Sequence, residues 1–254
     1  MINCIPSMRT HRYNNKASLP KQHPRNFNGL ARLRRVLWYG LSAFFLTSVG
    51  ICLLLRWMPA PTSAFMIYRH TEDLIDEQTF KAIQYQWISA DKISPYAFNA
   101  VIAAEDQRFF EHFGFDLHAI FNALKNYRNG GSLRGASTLT QQVAKNLFLS
   151  PSKNFFRKGL EAWFTILLEA LWSKERILEM YLNIAEFGEH IFGIEAASRQ
   201  YFGISAKNIT SQQAALLAAT LPNPVLLKAK QPSSYLLKRQ RWILKQMQNL
   251  PQRP

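Results

Sequence analysis

SPYAFNAVIAAEDQRFFEHFGFD, Ser94 to Asp116, is the stretch on which the reading of this chain turns. Ser94 followed by Pro95 is a helix start, with serine as cap and proline at the first helical position. The apolar run that follows predicts a helix to about Asp106, with Glu105 near its C-terminal end. Glu105 to Asp116 then holds four carboxylates, one histidine and four phenylalanines. A carboxylate beside Phe109 and Phe110 loses hydration, which raises its pKa and makes it a better proton acceptor near neutrality. A plain surface Glu-Asp pair is the bland alternative, and spacing alone leaves it open.

Working toward the C-terminus, His118 to Tyr127 predicts another helix, and Asn129 to Gly135 a flexible glycine-rich loop. Gly135 to Asn146, GASTLTQQVAKN, begins the next helix, with Thr138 and Gln141 spaced as a capping box. A helix N-terminus presents unpaired N–H groups and partial positive charge, both suited to phosphate. Lys145 lies one turn beyond Gln141 on the same face, and Lys153, Arg157 and Lys158 follow. Cations beside a hydroxyl-rich helix start suit a reaction that expels an anion. An amphipathic helix with solvated lysines carries the same pattern.

A long helix is predicted over Phe156 to Trp172, where Leu160, Trp163, Phe164, Leu167, Leu168 and Leu171 recur at helical spacing. Arg157 and Glu161 share one of its faces. Glu161 is either the second carboxylate of an active site or half of a surface ion pair worth about 0.3–0.5 kcal/mol. Ser173 to Tyr181 predicts a further helix. Thr210 and Gln213 form a second capping box, Leu221-Pro222-Asn223-Pro224 ends the helix after it, and Tyr235 to Asn249 is basic and amphipathic. Residues 65 to 93 are mixed and receive no assignment. Almost no strand pattern appears after residue 90, so the fold class is mainly α.

Toward the N-terminus, residues 1 to 35 carry basic side chains without a single Asp or Glu, a composition that favours disorder. Val36 to Leu55 has no charged residue and matches the roughly 20 residues of a membrane-spanning helix. Arg34, Arg35 and Trp38 flank one end; Arg56 and Trp57 flank the other. The basic excess places the N-terminus in the cytoplasm and the rest outside. A cleaved signal peptide is the rival, but the apolar run is long for a signal core. The domains expected are a tail over 1–35, a transmembrane helix over 36–55, a linker and start of the exported domain over 56–92, and a catalytic domain over 93–254. The 254-residue chain has a net charge of +15. No zinc-finger or RNA-recognition pattern accompanies it, so topology signalling explains the basic tail better than nucleic acid does. Cys4 and Cys52 are the only cysteines, which leaves the exported domain without a disulfide.

Two apparent motifs are set aside. His112, His118 and Asp116 lack any metal-ligand spacing, and a hydrogen-bonding histidine is the simpler reading. Ser150-Pro151-Ser152-Lys153 fits an SxxK pattern, but it sits in a proline-containing loop and no KTG accompanies it. Phe148, Phe155 and Phe156 are core residues by default; beside a membrane helix and basic residues they also suit a bilayer surface.

Taken in order, these segments resemble glycosyltransferase family 51, the peptidoglycan glycosyltransferases. The likeness is strongest to the monofunctional biosynthetic peptidoglycan transglycosylases of Gram-negative bacteria. It covers Ser94 to Pro224. Its motifs are Glu105-Asp106 with Phe109, His112, Gly114 and Asp116; Gly135 to Asn146; Arg157-Lys158 with Glu161 and Glu169; Ile177 to Asn183 continuing to Gly203; and Ala214 to Pro224. The resemblance implies a lysozyme-like helical domain with a smaller membrane-facing lobe. It implies lipid II as substrate, the growing undecaprenyl-pyrophosphate-linked glycan as donor and a second lipid II as acceptor. Glu105 is then the general base for inverting transfer to the acceptor 4-hydroxyl. Glu161 positions groups at the site, and a magnesium or manganese ion is compatible with it, though no dedicated metal cage is visible. Asp106, Ser137, Thr138, Gln141, Gln142, Lys145, Lys153 and Arg157 are the substrate-binding residues it implies. Lys153 departs from the family's frequent arginine and loses the bidentate fork. The implied location is a bacterial inner membrane, single-pass, with the catalytic domain periplasmic. No transpeptidase region follows in this sequence, so crosslinking is expected of other cell-wall synthesis proteins. A lytic glycosidase and a non-enzymatic scaffold are the rival functions.

Overall fold

The computed structural model describes residues 28–75, 81–131, 137–152 and 154–250. The basic tail up to residue 27, most of the glycine-rich loop (132–136) and Lys153 lie outside the described residues. Two compact units are distinguished, Met1–Phe44 and Phe45–Pro254. The first contributes the start of helix α1 (Asn28–Trp57), where Val36, Leu37, Trp38, Tyr39 and Leu41 are all exposed. Gly29–Trp57 is long and apolar enough to cross a membrane, with a mean hydropathy of 1.8 in its most apolar window. The helix thus begins earlier than the uncharged run suggested, since basic residues continue it as readily as apolar ones.

In the second unit, the end of α1 is seated on the domain by named contacts. Trp163 Nε1 donates to Ser48 Oγ at 3.2 Å and Trp172 Nε1 to the Cys52 carbonyl at 2.7 Å. Arg176 donates to the Leu55 carbonyl at 2.7 Å and to the Met58 carbonyl. A helix end leaves its last carbonyls without intrahelical donors, and Arg176 supplies them from a distant part of the chain. Charge-assisted bonds of this kind are worth about 1.5–3 kcal/mol. An Arg176→Met variant of the full chain in detergent is therefore expected to unfold at a Tm lower by roughly 3–10 °C. An unchanged Tm would show that the seat contributes nothing.

Helix α2 (Ala64–Ile75) follows, in the segment of mixed sequence pattern. Strand β1 (Gln84–Tyr85) and a 3₁₀ turn (Ala90–Lys92) lead to α3 (Pro95–Glu105). Ser94 stands at the cap position of α3 but makes no capping bond; its hydroxyl donates to the Ile209 carbonyl at 3.1 Å instead. The next helices are α4 (Leu117–Arg128), α5 (Leu139–Phe148), α6 (Phe155–Leu171) and α7 (Lys174–Ile184). Their caps are Asp116, Thr138, Asn154 and Ser173, each accepting from a backbone N–H of the first turn. Helix α8 (Ile194–Phe202) ends at Gly203 in the left-handed conformation, and α9 (Ser211–Thr220) begins with the Thr210–Gln213 capping box. Helix α10 (Ser234–Asn249) completes the described chain.

Strands β2 (Glu186–Gly188) and β3 (Ile191–Phe192) are the short strands found after residue 90 among the described residues, in keeping with a mainly α fold. Central β3 pairs antiparallel with β2 and parallel with β1. Strands of two or three residues, buried on both faces in β2 and β3, show no alternation for a sequence to reveal. Helices α3, α9 and α10 pack together, α5 packs against both α6 and α7, and one apolar core joins them. Phe148 stacks on Phe164 at 4.3 Å, whereas Phe155 and Phe156 are exposed.

Candidate active site

Glu105 closes α3, and the sequence makes this end of the helix a meeting point. Asp106, the next residue, turns the chain out of the helix and ties it to α5. Its Oδ2 accepts from the Leu139 N–H at 3.0 Å and its Oδ1 accepts from His112 Nε2 at 2.9 Å. A buried carboxylate facing a helix N-terminus satisfies an otherwise orphaned donor and opposes the helix dipole. Both Asp106 oxygens are thus engaged in holding the site together. His112 is a hydrogen-bonding histidine, and Asp116 caps α4 by accepting from Ala119 N at 2.9 Å. His118 faces Asn122, so these three residues serve three separate contacts.

Thr138 and Gln141 are likewise used by the scaffold. Thr138 Oγ donates to the Gly114 carbonyl at 2.7 Å and accepts from Gln141 N at 3.2 Å. Gln141 Oε1 accepts from Thr138 N at 3.0 Å, completing the capping box. Gly114 has φ +76°, and a Cβ there would lie 2.7 Å from Thr165 Cγ2 and 3.0 Å from Glu169 Cγ. A left-handed alanine costs about 1–2 kcal/mol before any clash. Gly114→Ala is expected to lower the unfolding temperature and activity together, because it displaces the carbonyl that holds Thr138. A variant of wild-type stability and rate would contradict this packing.

The remaining groups face one another. Gln142, on α5, donates from Nε2 to Glu105 Oε2 at 3.0 Å, and its Oε1 accepts from the Tyr181 hydroxyl of α7 at 3.2 Å. Arg239, on α10, donates to Glu105 Oε1 at 3.2 Å. Four helices therefore converge on one carboxylate whose side chain is 16% exposed. Burial pushes the Glu105 carboxyl above the usual range, and Asp106 adds to this; Gln142, Arg239 and Lys145 pull it down. Glu105, Asp106, Arg108, Asp116, Ser137 and Thr138 line a recess of about 250 Å³. Ser137 is exposed there.

Lys145 is half-buried, and burial holds its ammonium below the ordinary lysine range. Arg157 and Lys158 also lower it, while Glu161 and Glu105 raise it, so these five charges share one field. Glu161 is buried on α6 and accepts from Arg157 NH1 at 2.7 Å and from Lys158 Nζ. Arg157 Nε is buried without a partner among the described residues. Glu161 thus joins two cations into a cradle. Both its oxygens are occupied by those cations, and the described residues contain no group of three potential metal ligands. This donor set does not fit a resident divalent ion.

Arg239 and Tyr181 are the site contacts that the sequence did not reveal. Arg239 is one of several basic residues on an amphipathic helix, 134 positions from its partner. Nothing in the spacing separates it from Lys238 or Arg241.

A buried carboxylate that shares its field with a group of cations suits transfer of a glycosyl group from an anionic leaving group. The transglycosylase family model matches residues 71–248. The chain belongs to this family. It is an enzyme of glycosyl transfer. A biosynthetic peptidoglycan transglycosylase of Haemophilus influenzae is 48% identical over 237 residues, covering 91% of this chain and 96% of the relative. One of Pseudomonas fluorescens is 50% identical over 221 residues, covering 87% and 92% respectively. One of Mannheimia succiniciproducens is 50% identical over 210 residues, covering 83% and 86%. The family match includes both Glu105 and Arg239, the two ends of the ion pair.

Proposed function

We propose that this chain polymerises lipid II into glycan strands, with Glu105 as general base and Lys145, Arg157 and Lys158 as the cradle for the departing pyrophosphate. The observation that carries the reading is the shared field of Glu105, Lys145 and the Arg157–Glu161–Lys158 cluster. Glu105 takes the proton of the acceptor 4-hydroxyl. The oxygen then bonds to the donor's anomeric carbon as the bond to pyrophosphate breaks. Attack from the face opposite the leaving group inverts an α-linkage to β. Negative charge builds on the leaving oxygens, where fixed cations are worth most. A positioned base contributes roughly 10²–10⁴-fold.

In this reading Ser137 and Gln142 are the hydrogen-bonding residues nearest substrate. Asp106, Thr138 and Gln141 act by building the cleft, and Arg157 contributes positive charge for phosphate beside Glu161. Lys153, outside the described residues, is a phosphate ligand only by the family resemblance. Glu161 keeps its two cations in register.

Helix α1 anchors the chain in a bacterial inner membrane with the domain on the periplasmic side. Leu117, Phe121 and Leu124 on α4 are exposed at helical spacing, and Phe155 and Phe156 are exposed at the start of α6. Such surface favours contact with the bilayer from which a lipid-linked substrate arrives.

Incubation of the purified full chain with labelled lipid II tests the reading. Polymer is the expected product. Shortening of preformed glycan, with no polymer made, would establish the lytic alternative, whose chemistry has no use for the cationic cluster.

A further inference from the structure

The two oxygens of Glu105 are held from different sides. Gln142 holds Oε2 and is itself aimed by Tyr181, which is fully buried in α7. Arg239 holds Oε1 from α10, a helix whose other contacts with the domain are made through α3 and α9. The Arg239 side chain is 21% exposed, and its Nε is buried with no hydrogen-bond partner among the described residues. Its one ion pair among those residues is with Glu105. An arginine present only to fasten α10 would use its fork on carbonyls or on a structural carboxylate. This one is spent on the base.

We propose that Arg239 is a positioning residue for the transfer reaction: its ion pair keeps the Glu105 carboxylate charged and oriented toward the acceptor, which makes α10 part of the catalytic apparatus. The proposal rests on Glu105 being the base. The charged or titratable groups around Glu105 are Asp106 on its own segment, Lys145 on α5, Tyr181 on α7 and Arg239 on α10. Asp106 opposes ionisation of Glu105, whereas Lys145 and Arg239 favour it. Loss of Arg239 leaves burial opposed only by Gln142 and Lys145. Each carboxylate oxygen retains a second lone pair, so the ion pair does not block the incoming proton. That proton passes from the sugar hydroxyl to Glu105.

Full-length Arg239→Gln and Arg239→Lys, purified in detergent, test the proposal in the lipid II polymerisation assay from mildly acidic to mildly alkaline pH. In Arg239→Gln the acid limb of kcat/KM should move upward by about one pH unit, the low end of the effect of an opposite charge. At the acidic end kcat should fall about tenfold, with a smaller loss at the alkaline end and little change in KM. Arg239→Lys should recover part of the limb's position, since it restores charge without the planar fork. A raised KM with an unmoved acid limb would make Arg239 a substrate ligand and overturn the proposal. A loss equal at every pH and not relieved by lysine would overturn it too, as a purely structural effect. If Arg239→Gln does not fold, the lysine variant decides: a limb between wild type and neutral pH supports the proposal, and an unmoved limb refutes it. Absence of polymer with the wild-type chain would instead refute the proposed polymerisation, and an undiminished Glu105→Gln rate the reading of Glu105 as base.

Discussion

Glu105→Gln is expected to retain its fold and lose polymerisation by about 10²–10⁴-fold. Glutamine keeps the shape of the side chain, and its carbonyl oxygen can still accept from either Gln142 or Arg239. Its amide cannot take a proton from a hydroxyl. The side chain lies at the end of α3 beside the recess and outside the apolar core, so unfolding should occur close to the wild-type temperature. The wild-type rate carries a related signature. Burial raises the Glu105 carboxyl, so kcat/KM should fall with decreasing pH at a point above the ordinary carboxylate range. The sign follows from the role: the ionised form works, and acid removes it. A Glu105→Gln enzyme of undiminished rate would eliminate Glu105 as base.

Lys145→Ala should cost roughly 10²–10³-fold in kcat, the loss seen when one preorganised group is taken from a developing negative charge. The loss should fall more on kcat than on KM, because the charge on the leaving group grows toward the transition state. Arg157 and Lys158 remain in the variant, held by Glu161, so binding of the ground-state pyrophosphate is only partly weakened. Lys145 also sits below the ordinary lysine range through burial and its cationic neighbours. An alkaline limb is therefore expected, as Lys145 loses its proton, and Lys145→Arg should remove that limb while keeping the charge. Turnover of Lys145→Ala at the wild-type rate with saturating donor would remove Lys145 from the leaving-group site.

The helices and their starts were legible because their determinants are local. Thr138-x-x-Gln141 and Thr210-x-x-Gln213 write their caps in four residues, and the apolar stripe of α6 is visible at its own period. Ser94 shows the limit. It has the right identity at the right position, yet a tertiary acceptor, the Ile209 carbonyl, takes its hydroxyl. Strands β2 and β3 are too short to display a period, and α2 lies in a mixed segment whose pairing partners, such as Glu186 for Arg69, lie far along the chain. The site divides in the same way. Glu105, Lys145, Arg157 and Glu161 stand in recognisable motifs. Their scaffold contacts do not: Asp106, Thr138 and Gln141, implied as substrate ligands by the resemblance, also make hydrogen bonds that hold the fold. Arg239 is the converse case, since only folding brings α10 to the end of α3.

The central claim is that bond formation at Glu105 and expulsion of pyrophosphate into the Lys145–Arg157–Lys158 cradle are one event. The most direct measurement counts both products from purified full chain and lipid II in the same reaction: new glycosidic bonds, with their anomeric configuration, and released polyprenyl pyrophosphate. One pyrophosphate for each new β-linkage is the predicted result. Glycan linkages made or broken without matching pyrophosphate release, or α-linked product, would contradict it.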